Sequence, residues 1–499
     1  MVSADLGGSG VIFIFFSLGF ALSALGCLTL LRLWPLQDSG WDKGDVFRKK
    51  QRKPVLRLGG VGIMFGLVAV TLVAVIAEKE GATRGGDPRL VLLVCFTFFG
   101  IGLLDDLAPV PAVFKLVAQV AAASLAYALG FRIELVSEPF SGASLALDGL
   151  AYPATLFWLV ALPNLINLVD GIDGVAGGVG LSLIGTLAVV SWASGDLLLT
   201  ILCLGMVGAT AGFLCFNLPK ARLYLGDGGA YLLGAFIATT SISASQKGVV
   251  AGTLLVVVLA LALPIADTVF AMLRRAFYGF PIWRADSEHI HHRLVTLGLR
   301  KGIIISGMVG AVAIFAILGL GLVLGHERLW PVAIMAIIVG GLFLVRILGY
   351  WGSLGAFRQH VRRMLITRER VRYAYVLSMV LEHEIDRTPS PQDFWRDFRR
   401  SMAKVGLFPC SPDGSIDEIP HGAEMDLLTV RLANGDEWIL QHRESCEEMH
   451  WGKIAACFQG PLCRAIGKWG RIPSNLGVRP GDEPGESHYV GAELVFERE

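Results

Sequence analysis

The chain has 499 residues, 54% of them hydrophobic and only 17% charged, with a formal charge of +1 and a mean hydropathy of +0.60. So apolar a composition excludes an ordinary water-soluble protein and indicates an integral membrane protein. The net charge points to no partner, nucleic acid is not expected as one, and the eight scattered cysteines suggest no disulfide framework.

A membrane-spanning helix needs about 20 mostly apolar residues. Eleven stretches are candidates: about 11–31, 58–77, 89–104, 112–130, 153–169, 177–194, 197–216, 225–244, 248–272, 303–324 and 329–348. The first is expected to be retained, because no basic segment precedes it and no small-residue cleavage site follows it. Basic residues in short loops set the orientation. The connection from Arg32 to Arg57 carries eight basic residues against three aspartates. The one between the ninth and tenth stretches holds Arg274, Arg275, Arg284, Arg293, Arg300 and Lys301. Both are therefore expected in the cytoplasm. Alternation then predicts an all-α polytopic protein of about eleven helices, N-terminus outside and C-terminus inside.

The connections on the cytoplasmic side carry nearly all the candidate chemistry. Asn164–Gly178 reads NLINLVDGIDGVAGG, with Asn164 and Asn167 one helical turn apart and Asp170 continuing the row. Asp170-Gly171 and Asp173-Gly174 then break the helix into a glycine-rich loop. Carboxylates and carboxamides at a helix end are oxygen donors suited to a hard cation such as Mg²⁺. Asp105 and Asp106 are adjacent, and neighbouring carboxylates stay ionised only beside a cation, whether a metal or Lys115 of the next helix. Asp227, in Gly226-Asp227-Gly228-Gly229, sits where a helix begins. Backbone N–H groups there are expected to receive phosphate oxygens while the carboxylate holds a bridging metal. His289, His291, His292 and Arg293 form a run suited to anionic phosphates. A secondary transporter, with the carboxylates as an ion relay, is the rival reading; such sites lie near the bilayer midplane on broken helices.

Past residue 350 the composition changes, and 351–499 is expected to be a cytosolic α+β domain, separate from a membrane domain over 1–350. Arg358–Arg372 is strongly basic and suits anionic lipid heads or a solvated helix face. Ser390-Pro391 marks a helix start, Gly406 its end, and DLLTVRL and DEWILQH flank Asn434-Gly435 as a hairpin. YVGAELVFE, near the end, reads as a further strand. Cys446, His450, Cys457 and Cys463 fit no common zinc spacing.

Several segments together resemble the polyprenyl-phosphate N-acetylhexosamine-1-phosphate transferases. They are RLGG (Arg57–Gly60), Asp105-Asp106, Lys115 with Gln119, NxxNxxDGxDGxAxG (Asn164–Gly178), GFLxFNxP (Gly212–Pro219), GDxG (Gly226–Gly229), PxxDT (Pro264–Thr268) and HxHHRL (His289–Leu294). The last is closer to the undecaprenyl-phosphate GlcNAc-1-phosphate branch than to the lipid I synthases. Gln51, where the family usually has His, and Ala230, where it has Ser, depart from the pattern.

The resemblance implies an active site on the cytoplasmic face of a bacterial inner membrane. It implies transfer of a sugar 1-phosphate, N-acetylglucosamine foremost, from a UDP-N-acetylamino sugar to undecaprenyl phosphate, releasing UMP and starting a cell-envelope polysaccharide. It implies Mg²⁺, or Mn²⁺ in its place, on Asp227 and Asn167. Asp105 and Asp106 would position or deprotonate the lipid phosphate, and Lys115 would pair with the acids. Asn164, Asp170, Asp173 and Asn217 would hold nucleotide or metal, and His289, His291, His292 and Arg293 phosphate or sugar. A homodimer is among the assemblies expected. A truncation after about residue 350 is expected to keep some activity.

Overall fold

The structure is a computed structural model. It describes residues 8–33, 55–77, 87–137, 144–246, 253–281, 297–324, 329–347, 354–409, 425–431, 437–443 and 449–469, with isolated residues between and after these. Among the described residues, twelve helices with defined bounds precede residue 350. They are α1 (Gly8–Leu33), α2 (Gly59–Ala77), α3 (Pro88–Leu107), α4 (Ala112–Ala128), α5 (Ala151–Val169), α6 (Val175–Ala193), α7 (Leu197–Asn217), α8 (Gly226–Gln246), α9 (Thr253–Ala260), α10 (Ala262–Tyr278), α11 (Lys301–Val323) and α12 (Trp330–Ile347). Each predicted apolar stretch falls on one of them, except that the ninth divides between α9 and α10.

Among the described residues, seven helices are long and apolar enough to cross a membrane. The α9–α10 pair, bent by 62°, makes an eighth if counted as one span. The break has a cause in the sequence. Pro264 has no N–H for the Ala260 carbonyl, and its ring crowds that carbonyl. The α4 and α12 helices are apolar but shorter in that sense. A different case is α8, which carries Thr239, Thr240, Ser241 and Ser243 in its middle, all buried. It packs against α3, α5, α2 and α6, so protein and not lipid surrounds it. The hydroxyls of Thr239, Thr240 and Ser241 donate to carbonyls three or four residues back.

Small residues let the helices approach closely. A methyl on Gly19 of α1 would lie 2.0 Å from the Gly205 carbonyl oxygen of α7, and one on Gly208 2.1 Å from that of Phe16. Between α4 and α5 a short antiparallel pair forms, β1 (Leu135–Ser137) with β2 (Ser144–Ala146). Nothing in the hydropathy pattern announces it.

Packing divides the chain into two units, and the division does not follow residue 350. The second unit takes in Val269–Gly298 as well as Leu344–Glu499. It contains α13 (Leu354–Arg387), α14 (Pro391–Lys404), α15 (Trp451–Trp469) and an antiparallel sheet of β3 (Leu407–Pro409), β4 (Met425–Arg431), β5 (Glu437–Arg443) and β6 (Val478–Arg479). Arg431 pairs with Glu437 at the end of the predicted hairpin; Asn434-Gly435 and YVGAELVFE lie outside the described residues. Gly406, at φ +86°, follows α14 as expected, while Ser390 occupies the cap position without a side-chain hydrogen bond. Aromatic rings fill the core: Phe398 lies against Trp395, Trp438 and Phe458. Cys457 is buried, with its thiol directed at the Val371 carbonyl, and burial pushes the Cys463 thiol up to about 11. Cys446 lies outside the described residues.

The end of α10 belongs to this second core. Gly279 (φ +80°) closes the helix, with Phe280 N–H donating to the Arg275 carbonyl at 2.9 Å. Tyr278 is buried and packs edge-on against His450. Phe280 does the same against Tyr375.

Candidate active site

Six helix ends supply the predicted acids and amides of the first unit. The adjacent Asp105 and Asp106, on the last turn of α3, have separate partners. Asp105 accepts the Val110 N–H through Oδ1 at 2.8 Å and the Lys115 ammonium through Oδ2 at 2.8 Å. Asp106 accepts the Asp227 and Gly228 N–H groups at 2.9 and 2.8 Å. It therefore caps α8 from another helix. This corrects one expectation: those two α8 amides, thought to receive phosphate, are already taken by a carboxylate.

Close backbone approach makes that cap reachable. A methyl on Gly102 would lie 2.5 Å from the Asp227 carbonyl carbon, and one on Gly60 2.4 Å from the Gly229 backbone. Gly226 has φ +76°, and a side chain there would meet the Arg57 carbonyl at 2.4 Å and Asp106 Oδ2 at 2.6 Å. The RLGG segment runs beside the residues before α8: Leu56 bridges Leu223 in parallel, and Gly59 and Gly60 N–H donate to the Tyr224 and Leu225 carbonyls at 2.8 and 3.0 Å.

Lys115, near the start of α4, joins two acids, lying 2.8 Å from Asp105 and 3.6 Å from Asp227. One turn further, Gln119 is buried. Its Oε1 accepts from Asn164 Nδ2 at 2.8 Å, and the same Asn164 amide reaches the Val160 carbonyl at 2.7 Å. Tyr231, one turn after Asp227, lies beside Gln119 and within reach of the Asp227 and Lys115 charges. Sequence reasoning did not select Tyr231; its spacing from Asp227 on α8 was the available signal.

Asn167 is half-buried on the last turn of α5, and its carbonyl accepts the Asp170 N–H at 3.2 Å. Asp170, as a whole residue, is half-buried. Burial of its carboxyl, followed by the charges of Asp227, Asp106 and Asp173, pushes its pKa well above the usual carboxylate range, against the pull of Arg57. Asp173 receives the Ala221 N–H at 3.5 Å and lies 3.9 Å from Lys301 of α11. Lys301, an orientation signal in the sequence, and Arg57, part of the RLGG segment, add their charges to the site. Asn217 is buried, with both ends of its amide on backbone. It accepts from Gly174 N–H at 2.6 Å and donates to the Leu223 carbonyl at 2.9 Å. It thus ties the DGIDG loop to the segment leading into α8. His289, His291, His292 and Arg293, like Gln51, lie outside the described residues.

Asp105, Asp106, Asp170, Asp173 and Asp227 face three cations, Lys115, Arg57 and Lys301, which leaves a formal charge of −2. Among the described residues no group of three or more His, Cys, Asp or Glu is arranged around a single metal position. The donor set is nonetheless all oxygen and in charge excess, which fits a hard divalent cation.

Comparison with known proteins gives the family. Residues 89–245 match the model of glycosyl transferase family 4. A probable undecaprenyl-phosphate N-acetylglucosaminyl 1-phosphate transferase of Bacillus subtilis is 33% identical over 265 residues, covering 53% of this chain and 72% of its own. A decaprenyl-phosphate N-acetylglucosaminephosphotransferase of Mycobacterium tuberculosis (strain H37Rv) is 31% identical, over 49% of this chain and 66% of its own. A phospho-N-acetylmuramoyl-pentapeptide-transferase of Geobacillus kaustophilus is 29% identical, over 55% and 84%. The chain is a multi-pass membrane protein of glycosyl transferase family 4 and belongs with the polyprenyl-phosphate sugar-1-phosphate transferases.

Proposed function

We propose that the protein transfers N-acetylglucosamine 1-phosphate from its UDP derivative to undecaprenyl phosphate, at a Mg²⁺-dependent site on the cytoplasmic face, and so begins a cell-envelope polysaccharide. One observation carries this reading: acids from α3, the α5–α6 loop and α8 lie within electrostatic reach of one another, with Lys115 bridging Asp105 and Asp227. A lipid-phosphate oxygen attacks the sugar-linked phosphorus, the bond from that phosphorus to the bridging oxygen breaks, and UMP leaves with the electron pair. A lipid phosphate, with a second pKa of about 6, is already mostly dianionic near neutral pH. The enzyme's main task is therefore to align two anions and offset their repulsion.

Asp227, with Asp170 within reach of its charge and Asn167 as a further candidate ligand on the last turn of α5, would hold the metal, which when bound neutralises charge developing on the diphosphate. Lys115 stands beside the same position and supplies a second positive charge. Asp105 orients Lys115, and Asp106 fixes the start of α8 that carries Asp227. Asn217 holds the DGIDG loop, and with it Asp173, in place for the nucleotide. The test is UMP release from UDP-GlcNAc and undecaprenyl phosphate in Mg²⁺-containing membranes. Asp227→Ala is expected to abolish it; undiminished turnover removes Asp227 from the mechanism. A parallel measurement of Mn²⁺ binding by electron paramagnetic resonance separates loss of metal from loss of chemistry.

A further inference from the structure

Helix α13 is apolar on two opposite sides. One side, with Val371, Ala374, Leu381 and Ile385, is buried in the core of the second unit. The other carries Leu365, Ile366, Tyr373, Val376, Met379 and Val380, all 37–56% exposed. Ile366, Tyr373, Val376 and Val380 recur at the same helical spacing as the buried set and point the opposite way. The first half of the helix, 354–372, holds six arginines and one glutamate. Arg358, Val361, Arg362, Leu365 and Ile366 line a shallow groove of about 460 Å³. Guanidinium groups beside an apolar strip match a phosphate headgroup above acyl chains.

The chain itself favours that occupant. The last apolar helix, α12, ends at Ile347, with six residues between it and α13, so the arginines come soon after the last apolar stretch of the chain. A second copy of the helix fits less well. Side by side in parallel, arginine would meet arginine. Reversed, Arg358 and Arg362 would meet a single acid on the outward face of the other half, Glu384, one turn past Val380 and half-buried; Asp386 is paired with Arg464 at 2.8 Å, and Glu382 is half-buried close to Gly460.

We propose that the outward face of α13 is a membrane-binding surface for anionic phospholipid: Arg358 and Arg362 hold headgroup phosphates, and Leu365, Ile366, Tyr373, Val376 and Val380 enter the acyl boundary. The second unit is thereby held to the bilayer by lipid contacts as well as by the chain.

The test uses the full chain with p-benzoyl-phenylalanine in place of Val376, reconstituted in nanodiscs of phosphatidylcholine with or without phosphatidylglycerol. After irradiation, mass spectrometry is expected to find phospholipid adducts whose yield rises with phosphatidylglycerol. Arg358→Gln and Arg362→Gln are each expected to lower that yield, on the order of fivefold per charge removed. The same probe at Leu427, an exposed apolar residue of β4, is expected to give none. A cross-link to a second copy or to another part of the chain, no adduct, or a yield indifferent to phosphatidylglycerol overturns the proposal. Size-exclusion chromatography shows that each variant is folded.

Discussion

The two units use charge in opposite ways. In the first, charged groups are few and meet at the ends of apolar helices, where three of the acids have specific partners: Asp105 with Lys115, Asp106 with the start of α8, Asp173 with Lys301. In the second, charges are many and ordinary, as in the Arg396–Asp393 pair one helical turn apart on α14, and aromatic packing supplies the cohesion. Where charge is costly its position carries information about function; where it is cheap it carries little.

Substitutions that keep charge but alter backbone approach test this contrast hardest. Gly102→Val would set a side chain against the Asp227 backbone, where nothing flexible can yield. The expected loss is about 3 kcal/mol of stability, with turnover abolished, measured by thermal unfolding and UMP release. A folded, active variant would mean that α3 and α8 need not touch. Next in size is Asn217→Ala, which removes the two side-chain hydrogen bonds that link Asn217 to the DGIDG loop and to the segment before α8. Stability should fall by about 2 kcal/mol, and KM for UDP-GlcNAc should rise more than kcat falls.

Asp170 gives a signed prediction. Its carboxyl is pushed well above the usual range in the folded protein. Below the unfolded value the group is protonated in both states and imposes no penalty. As pH rises past it, ionisation costs more in the fold, and stability is lost up to the folded pKa. Asp170→Asn should therefore raise the thermal midpoint of metal-free protein at pH 8, by about 2 °C or more, and change little at pH 4. Added Mg²⁺ should stabilise the wild type more than this variant. The smallest effect is expected of Lys301→Gln, whose ion pair is half in solvent: under about 1 kcal/mol of stability, and a KM change of a few fold.

Truncation after residue 350 bears on the comparison from the other side. It would strip the packing from Tyr278 and Phe280, which lead into the segment bearing His289, His291, His292 and Arg293. The cut chain is now expected to lose most of its UMP release, unlike the retention that a boundary at 350 implies. Full activity would show that this segment works without the second unit.

The residues of the site were legible because polar side chains stand out in an apolar chain. Asp105, Asp106, Asp170, Asp173 and Asp227 were each visible alone. Their partners were not. The bond from Asp106 to the Asp227 backbone spans 121 residues, and nothing local announces it. Asn217 looked like a ligand because a carboxamide can bind substrate or brace a loop, and only its surroundings decide. The helices were readable from hydropathy, but α8 shows the limit: a helix sheathed by other helices is free to be polar. The membership of 269–298 in the second unit was hidden, because the boundary was drawn where composition changes and packing crosses it.

The central claim, that these acids jointly bind a metal-bound nucleotide sugar, is most directly tested by calorimetric titration of UDP-GlcNAc into the purified protein, wild type and Asp227→Asn, with and without Mg²⁺. Binding is expected only for the wild type with Mg²⁺ present. Equal affinity in all four titrations would contradict it.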